Sequence, residues 1–328
     1  MNLTLIIYIY CASLGFARYF FELEHKKSKK ILYLLAIMSV YAALSILNNG
    51  DYISWVKLVF TILAFKMLSK SKYSIIGVAF VLFSSSIVGV VMEDYSKLNN
   101  LDIIGLIVIF YMAFGLRSKL VYVCLLLLIF QSYLLSFRTY LFIVPLLLIY
   151  ALSWKFLSKS TLAKLGLSTV IGITGVHFII GHYFYIGSEL IEVTGSNVGR
   201  SIMTYAVILS ATNLMPMGSM EALNIVQTFW PTELVKIYFF NHIDTHNGLS
   251  NILMLYGLPV LIIFLYWFYR FSYELFYKIK DDYNSLVIYL LLILVFSFDT
   301  FSIRAMLDLS LLAGALSYRI RGKRLVEK

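Results

Sequence analysis

Apolar runs of about twenty residues recur along this chain, near residues 2–21, 31–47, 52–69, 73–92, 101–116, 119–136, 139–157, 165–185, 248–270, 284–300 and 304–319. A helix of that length matches the roughly 30 Å hydrocarbon core of a bilayer. No water reaches a backbone inside hydrocarbon, so a spanning segment must satisfy its own amides and carbonyls, and a helix does so. The expected fold is therefore all-α: a polytopic transmembrane helix bundle of about eleven spans. With 61% hydrophobic and 13% charged residues among 328, the solvent of such a chain is mostly lipid. No internal repeat, low-complexity tract or second domain interrupts it, and residues 1–328 read as a single membrane domain. The first run lacks a basic start and reads as a span rather than a cleavable leader. Cys11 and Cys124 fall in apolar runs and read as packing residues, with no disulfide framework or zinc cluster.

The 27 basic residues are unevenly placed. Alternate connections carry Lys26, Lys27, Lys29 and Lys30; Lys66, Lys70 and Lys72; Arg117 and Lys119; Lys155, Lys159 and Lys164; Arg270, Lys278 and Lys280; and Arg319, Arg321, Lys323, Arg324 and Lys328. With Arg18, that side holds 21 of them. Lys57, Lys97, Arg138, Arg200, Lys236 and Arg304 fall on the other. The positive-inside bias then puts the N-terminus outside and the C-terminus in the cytoplasm. Cations against anionic lipid headgroups account for the net charge of +10, so membrane lipids are expected partners and no nucleic acid is required.

One connection is much longer than the rest: residues 186–247, a large extracytoplasmic loop between the eighth and ninth runs. Long connections in compact proteins tend to be functional. Ser201 to Leu214 is apolar enough to lie on or dip into the membrane, and Pro216, Gly218 and Pro231 punctuate the remainder of the loop. A short helix lying over the bundle, a turn and a second short helix are expected. Three arginines reach this face: Arg138 at the outer end of the seventh run, Arg200 within the loop, and Arg304 opening the last run. Guanidinium is a rigid fork of donors that matches phosphate oxygens, stays charged, and is costly near hydrocarbon unless paired. A diphosphate on a lipid carrier fits all three; snorkelling to headgroups, or pairing with an acid such as Asp299 or Glu192, is the alternative for each.

The tract Asp244-Thr245-His246-Asn247-Gly248-Leu249 leads from the loop into the ninth run, and His246 is the candidate catalytic base. A cap at Asp244 or Thr245 would set the imidazole at a helix N-terminus, where the dipole disfavours its protonated form. A neutral imidazole accepts a proton from an attacking hydroxyl, with Asn247 or Asp244 orienting it or the acceptor. A capping and packing histidine is the bland alternative. His242 and His246 have metal-ligand spacing, but they lack the Glu of a zinc-protease motif and no metal site is expected. His177 and His182, five apart, fall on different helix faces and read as core or interface residues; Gly172, Gly175 and Gly181 read as close helix packing. The loop acids Glu189, Glu192, Glu221 and Glu233 read as solvated. There is no nucleophile elbow or phosphate-binding loop.

The order of these features resembles the O-antigen polymerase and O-antigen ligase superfamily of bacterial polysaccharide assembly. The likeness lies mainly in residues 136–265: Ser136-Phe137-Arg138-Thr139 opening a run, Gly199-Arg200 early in the loop, Pro216-Met217-Gly218 further on, and Thr245-His246-Asn247-Gly248-Leu249 before Tyr256-Gly257-Leu258. The chain departs from the pattern in offering Tyr205 as the aromatic after Arg200, and it is short for the group. The resemblance implies metal-independent glycosyl transfer from an undecaprenyl-diphosphate-linked oligosaccharide at the outer face of a bacterial inner membrane, with no cofactor. Arg138, Arg200 and Arg304 would hold the diphosphate and His246 would be the base, with Asp244, Asn247 and Tyr205 in support.

Diphosphate is already a good leaving group, so stabilising its developing charge and deprotonating the acceptor hydroxyl are the main tasks. The expected enzyme is a polymerase of O-antigen or a related surface or capsular polysaccharide, with a chain-length regulator protein as a further partner. A ligase using a lipid A core acceptor shares the donor and stays open. A flippase of such lipids is disfavoured, because transporters carry repeated halves and polar groups near the midplane. Trp230, Phe229, Tyr238 and Tyr205 are placed either to stack on sugars or to form an interfacial belt.

Cysteines introduced at positions 197 and 242 are expected to react with an impermeant thiol reagent added outside, and those at 160 and 280 to be protected. The opposite pattern would remove the basis for a shared outer site.

Overall fold

The computed structural model describes residues 29–49, 51–91, 101–114, 143–153, 156–186, 196–210, 215–218, 247–278, 283–298 and 303–326, with single positions at 224 and between 120 and 130. They form the helices α1 (Lys29–Asn49), α2 (Tyr52–Leu68), α3 (Lys72–Val91), α4 (Leu101–Phe114), α5 (Ile143–Ser153), α6 (Lys159–Ile186), α7 (Ser196–Ser210), α8 (Gly248–Lys278), α9 (Tyr283–Phe298) and α10 (Ile303–Val326). No strand occurs among the described residues. Each helix other than α7 lies on one of the expected apolar runs. The run at 119–136 is helical at its described positions, whereas the first run, with Cys11, lies outside the described residues. At their basic ends α6, α8 and α10 continue past the apolar limits, since Lys and Arg hold a helix about as well as Leu does.

The helix starts share one chemistry. Side-chain oxygens of Asp51, Ser71, Ser158 and Asn247 each accept the backbone N–H three residues on, at 3.1 to 3.2 Å, and so begin α2, α3, α6 and α8. Each cap satisfies an amide that the first helical turn leaves without an internal partner.

Helix α9 is the centre of the packing. Every residue from Asn284 to Ser297 is buried, as suits a helix that is apolar on all sides. Midway, the Tyr289 hydroxyl meets Ser272 Oγ of α8 at 2.7 Å, and its ring stands edge-on to Tyr150 of α5 and Phe276 of α8. Helix α10 runs beside it. Ser310 donates to the Thr61 carbonyl of α2 at 3.1 Å, and Arg319 donates to the Tyr111 carbonyl of α4 at 3.0 Å with its guanidinium over the Tyr111 ring. Cys124 is a buried free thiol, in keeping with a packing role.

The outer helices invert this distribution. Two helices among the described residues are long and apolar enough to cross a membrane, Lys159–Tyr183 within α6 and Gly248–Lys278, yet only 17% and 39% of their most apolar windows are buried. Exposed Ile37, Phe80, Leu152, Ile179 and Ile262 extend this surface over α1, α3, α5, α6 and α8. Exposed apolar area on this scale marks a membrane or protein contact face.

Helix α8 is interrupted. Gly257 has φ 79° and ψ 174°, a conformation open essentially to glycine alone, and Pro259 follows two residues later. Proline removes an amide donor and crowds the preceding turn, so a break just before it relieves both conflicts. The Tyr256 carbonyl at the break accepts from the Tyr41 hydroxyl at 3.2 Å, while the Tyr256 hydroxyl donates to the Ser54 carbonyl at 2.9 Å. Trp55 stacks edge-on against both rings and donates its indole N–H to Ser45 Oγ at 3.1 Å. This cluster ties α1 and α2 to the break.

Two expectations are corrected. Gly181 does mark a close helix approach, but Gly172 and Gly175 have open space where a side chain would begin. Their spacing on α6 resembles a packing motif, yet among the described residues no helix lies against that side. Gly257→Ala is therefore expected to destabilise the solubilised protein by about 1–3 kcal/mol, from backbone strain. Gly172→Ala should be neutral or stabilising by up to about 1 kcal/mol, from helix propensity. Thermal unfolding of the two variants in detergent checks the contrast, and equal midpoints would contradict it.

Candidate functional site

Asn247 is where the sequence motif meets the fold. Its carbonyl accepts from the Asn251 amide at 2.9 Å and its Oδ1 from the Ser250 amide at 3.2 Å, which makes it the N-cap of α8. The cap expected at Asp244 or Thr245 is therefore displaced to Asn247. A short side chain reaches the amide three residues ahead, and the helix begins at Gly248. His246 consequently stands one residue before the cap, not in the first turn.

The same amide joins three helices. Oδ1 also accepts from Thr174 Oγ1 of α6 at 2.9 Å, and Nδ2 donates to the Ser297 carbonyl at the end of α9, 3.5 Å away. Gly248 completes the junction, since any side chain there would run into the Phe296 ring, within 2.7 Å of its Cζ. Asn247 is 0% exposed. Donors from Thr174 and Ser250 meet the amide oxygen, which gives Asn247 a structural role at this junction.

Helix α7 packs against α6 beside this junction. His177, three residues on from Thr174, shares a 3.1 Å hydrogen bond between Nδ1 and Ser201 Oγ. One turn further, His182 Nδ1 and the Tyr205 hydroxyl share one of 3.0 Å. Between them lies Gly181, where a Cβ would stand 2.7 Å from Tyr205 Cβ and collide with the Ser201 carbonyl. The two histidines, expected on different faces, thus both clasp α7, one on each side of the glycine. Small residues permit this approach, and side-chain hydrogen bonds then fix it.

Ser201 to Val207 are all buried, so α7 is packed into the protein and does not lie over it. Val207 reaches Leu253 and Met254 of α8. Tyr205, 5% exposed, has its ring against Phe178 and His182. Its ring packs and its hydroxyl hydrogen-bonds within the protein. Past α7 the chain bends at Met215, and Gly218 has φ 73°.

Of the sequence-predicted residues, Arg200 lies in α7 beside Ser201, and Arg304 lies in the first turn of α10, one turn before the fully buried Asp308. That i, i+4 spacing places Arg304 and Asp308 on one helix face. The side chains of both arginines, and Arg138, Asp244 and His246 entirely, lie outside the described residues, as do Trp230, Phe229, Tyr238 and His242. The structure does bring their neighbours together: Asn247, next to His246, and Ser201, next to Arg200, are held by positions on α6 one turn apart. Ser297, on Asn247, lies shortly before the start of α10 and Arg304. Among the described residues no three His, Cys, Asp or Glu side chains converge to hold a metal ion. Thr174 is the residue that sequence reasoning missed, and it carried no signal. His177 was read as a core or interface residue, and it stands at the interface with α7.

Comparison with protein families, characterised proteins and solved structures finds no match.

Asn247→Ala is expected to cost about 2–3 kcal/mol, combining a lost cap with partners left unsatisfied in a buried place. Asn247→Ser keeps a capping oxygen but cannot reach both Thr174 and Ser297, and should recover only about 1 kcal/mol of that. Full recovery by Ser, in unfolding midpoints measured in detergent, would show that the bonds between helices contribute nothing.

Proposed function

We propose that this chain is a multi-pass inner-membrane glycosyltransferase of the O-antigen polymerase and ligase kind, with about eleven spans and residues 186–247 outside the cytoplasm. It transfers an undecaprenyl-diphosphate-linked glycan onto a lipid-linked repeat unit, building a lipopolysaccharide or related surface polysaccharide. His246 takes the proton of the attacking sugar hydroxyl. Arg200, Arg138 and Arg304 hold the departing diphosphate and meet its growing charge through forked donors.

What supports this reading is the convergence on α6. The residue that follows His246 and the residue that follows Arg200 are bound to Thr174 and His177, one helical turn apart. A base and a phosphate-holding arginine need that proximity, because the proton leaves the acceptor while charge develops on the diphosphate of the same reaction. Arg200 and His246 lie near opposite ends of the long loop, so local structure does not require the residues beside them to meet. Membrane lipids surround the exposed apolar helices in this reading, and a chain-length regulator is the expected protein partner.

The test is turnover of a defined lipid-linked repeat unit by the purified protein. His246→Ala should abolish long-chain product while leaving protein level and single-repeat lipid intact. Arg138→Lys and Arg200→Lys should each lower turnover roughly ten- to a hundredfold, nearly as much as Ala, because Lys keeps the charge but loses the fork, a loss of about 1.5–3 kcal/mol. Arg304 is expected to be the least sensitive, having Asp308 as a structural companion one turn away. Normal chain ladders from His246→Ala would sink the assignment, and transfer to a lipid A core without chain growth would identify a ligase.

A further inference from the structure

We infer that His177 is a positioning residue for Arg200, acting through Ser201. The inference rests on the proposed function, in which Arg200 holds the lipid diphosphate. Helix α7 is fastened to α6 at two successive turns: by the pair His177 and Ser201, and by the pair His182 and Tyr205. At Gly181, between them, the two backbones come so close that a side chain would not fit.

A helix held at two turns by directional bonds, with its backbone in contact between them, has little freedom to rotate or slide. Arg200 directly precedes the first of these attachment points. The orientation of that turn of α7 therefore depends on the bond from His177 Nδ1 to Ser201 Oγ. On the other side, His177 lies one turn from Thr174, which holds Asn247. The bond thus fixes the arginine-bearing turn relative to Asn247, the residue that follows His246 in the chain. A guanidinium fork recognises a diphosphate only in a defined pose, so a small displacement of that turn weakens donor binding without removing the charge.

The experiment measures affinity for a synthetic polyprenyl-diphosphate oligosaccharide, together with unfolding midpoints, in full-length protein. His177→Ala should weaken binding about tenfold, the size of one charge-assisted contact. His177→Asn, whose amide nitrogen falls where Nδ1 was, should restore affinity to within about twofold, and His177→Gln, whose polar atoms fall further out, should not. Ser201→Ala removes the partner hydroxyl with little change of volume and should reproduce the Ala effect, even where His177→Ala folds poorly. In an Arg200→Ala background, His177→Ala should add nothing.

Additive losses in that double variant, equal behaviour of Asn and Gln, or a lower midpoint with unchanged affinity would each overturn the inference. Unchanged affinity in Arg200→Ala alone would instead remove the diphosphate role of Arg200. A weakened Arg200→Ala beside an unaffected His177→Ala would leave that role standing and reject only the positioning.

Discussion

The buried amide of Asn247 is the constraint on which the site depends. It caps α8, takes the hydroxyl of Thr174 from α6, and donates to the carbonyl of Ser297 at the end of α9. A buried amide without partners costs about 1–3 kcal/mol, so an arrangement that leaves any of these groups unmatched is disfavoured by an amount comparable to a good part of a domain's net stability. An apolar contact tolerates sliding. The amide does not, because its oxygen and nitrogen must each find their own partners at about 3 Å. The entry of α8 is therefore fixed in position as well as depth.

Apolar packing supplies the rest of the framework. Helix α9 is buried from Asn284 to Ser297, and aromatic rings from α5 and α8 close around Tyr289 at its middle. Polar links appear where two helices must keep one register: Ser310 to Thr61, Tyr111 to Ser285, and Arg319 to the Tyr111 carbonyl. At Gly257 the backbone of α8 leaves the helical region, and Tyr41, Trp55 and Tyr256 cover the place with rings and hydroxyls. Irregular backbone in apolar surroundings persists only where protein groups meet it, and here they do.

Helix α7 shows how tertiary context changes the meaning of a segment. By sequence it is an apolar stretch after a polar loop, a pattern that suits a surface helix. Gly181 allows it to approach α6 more closely than side chains normally permit, and His177 and His182 hold it there. The same histidines look unrelated at a spacing of five. A partner helix seated against the glycine between them can still reach both, since it touches α6 over an arc and not along a single row. Gly172 and Gly175, with equally suggestive spacing, have no such partner among the described residues.

The sequence alone determined that the described residues are helical and, α7 apart, which apolar runs their helices occupy, because the length of an apolar run is a local property. It also singled out Asn247 and Tyr205, as polar or aromatic groups in conspicuous places, though not what either one touches. Only the tertiary structure decided that the cap is Asn247 and not Asp244 or Thr245, that Tyr205 is packed and not presented, and that Thr174 and His177 join the segments next to His246 and Arg200. The links of Asn247, Ser201 and Tyr205 to α6 depend on hydrogen-bond partners 23 to 73 residues away in the chain. A directional bond between distant segments has no period in the sequence, because it exists only once packing has brought donor and acceptor within about 3 Å of each other.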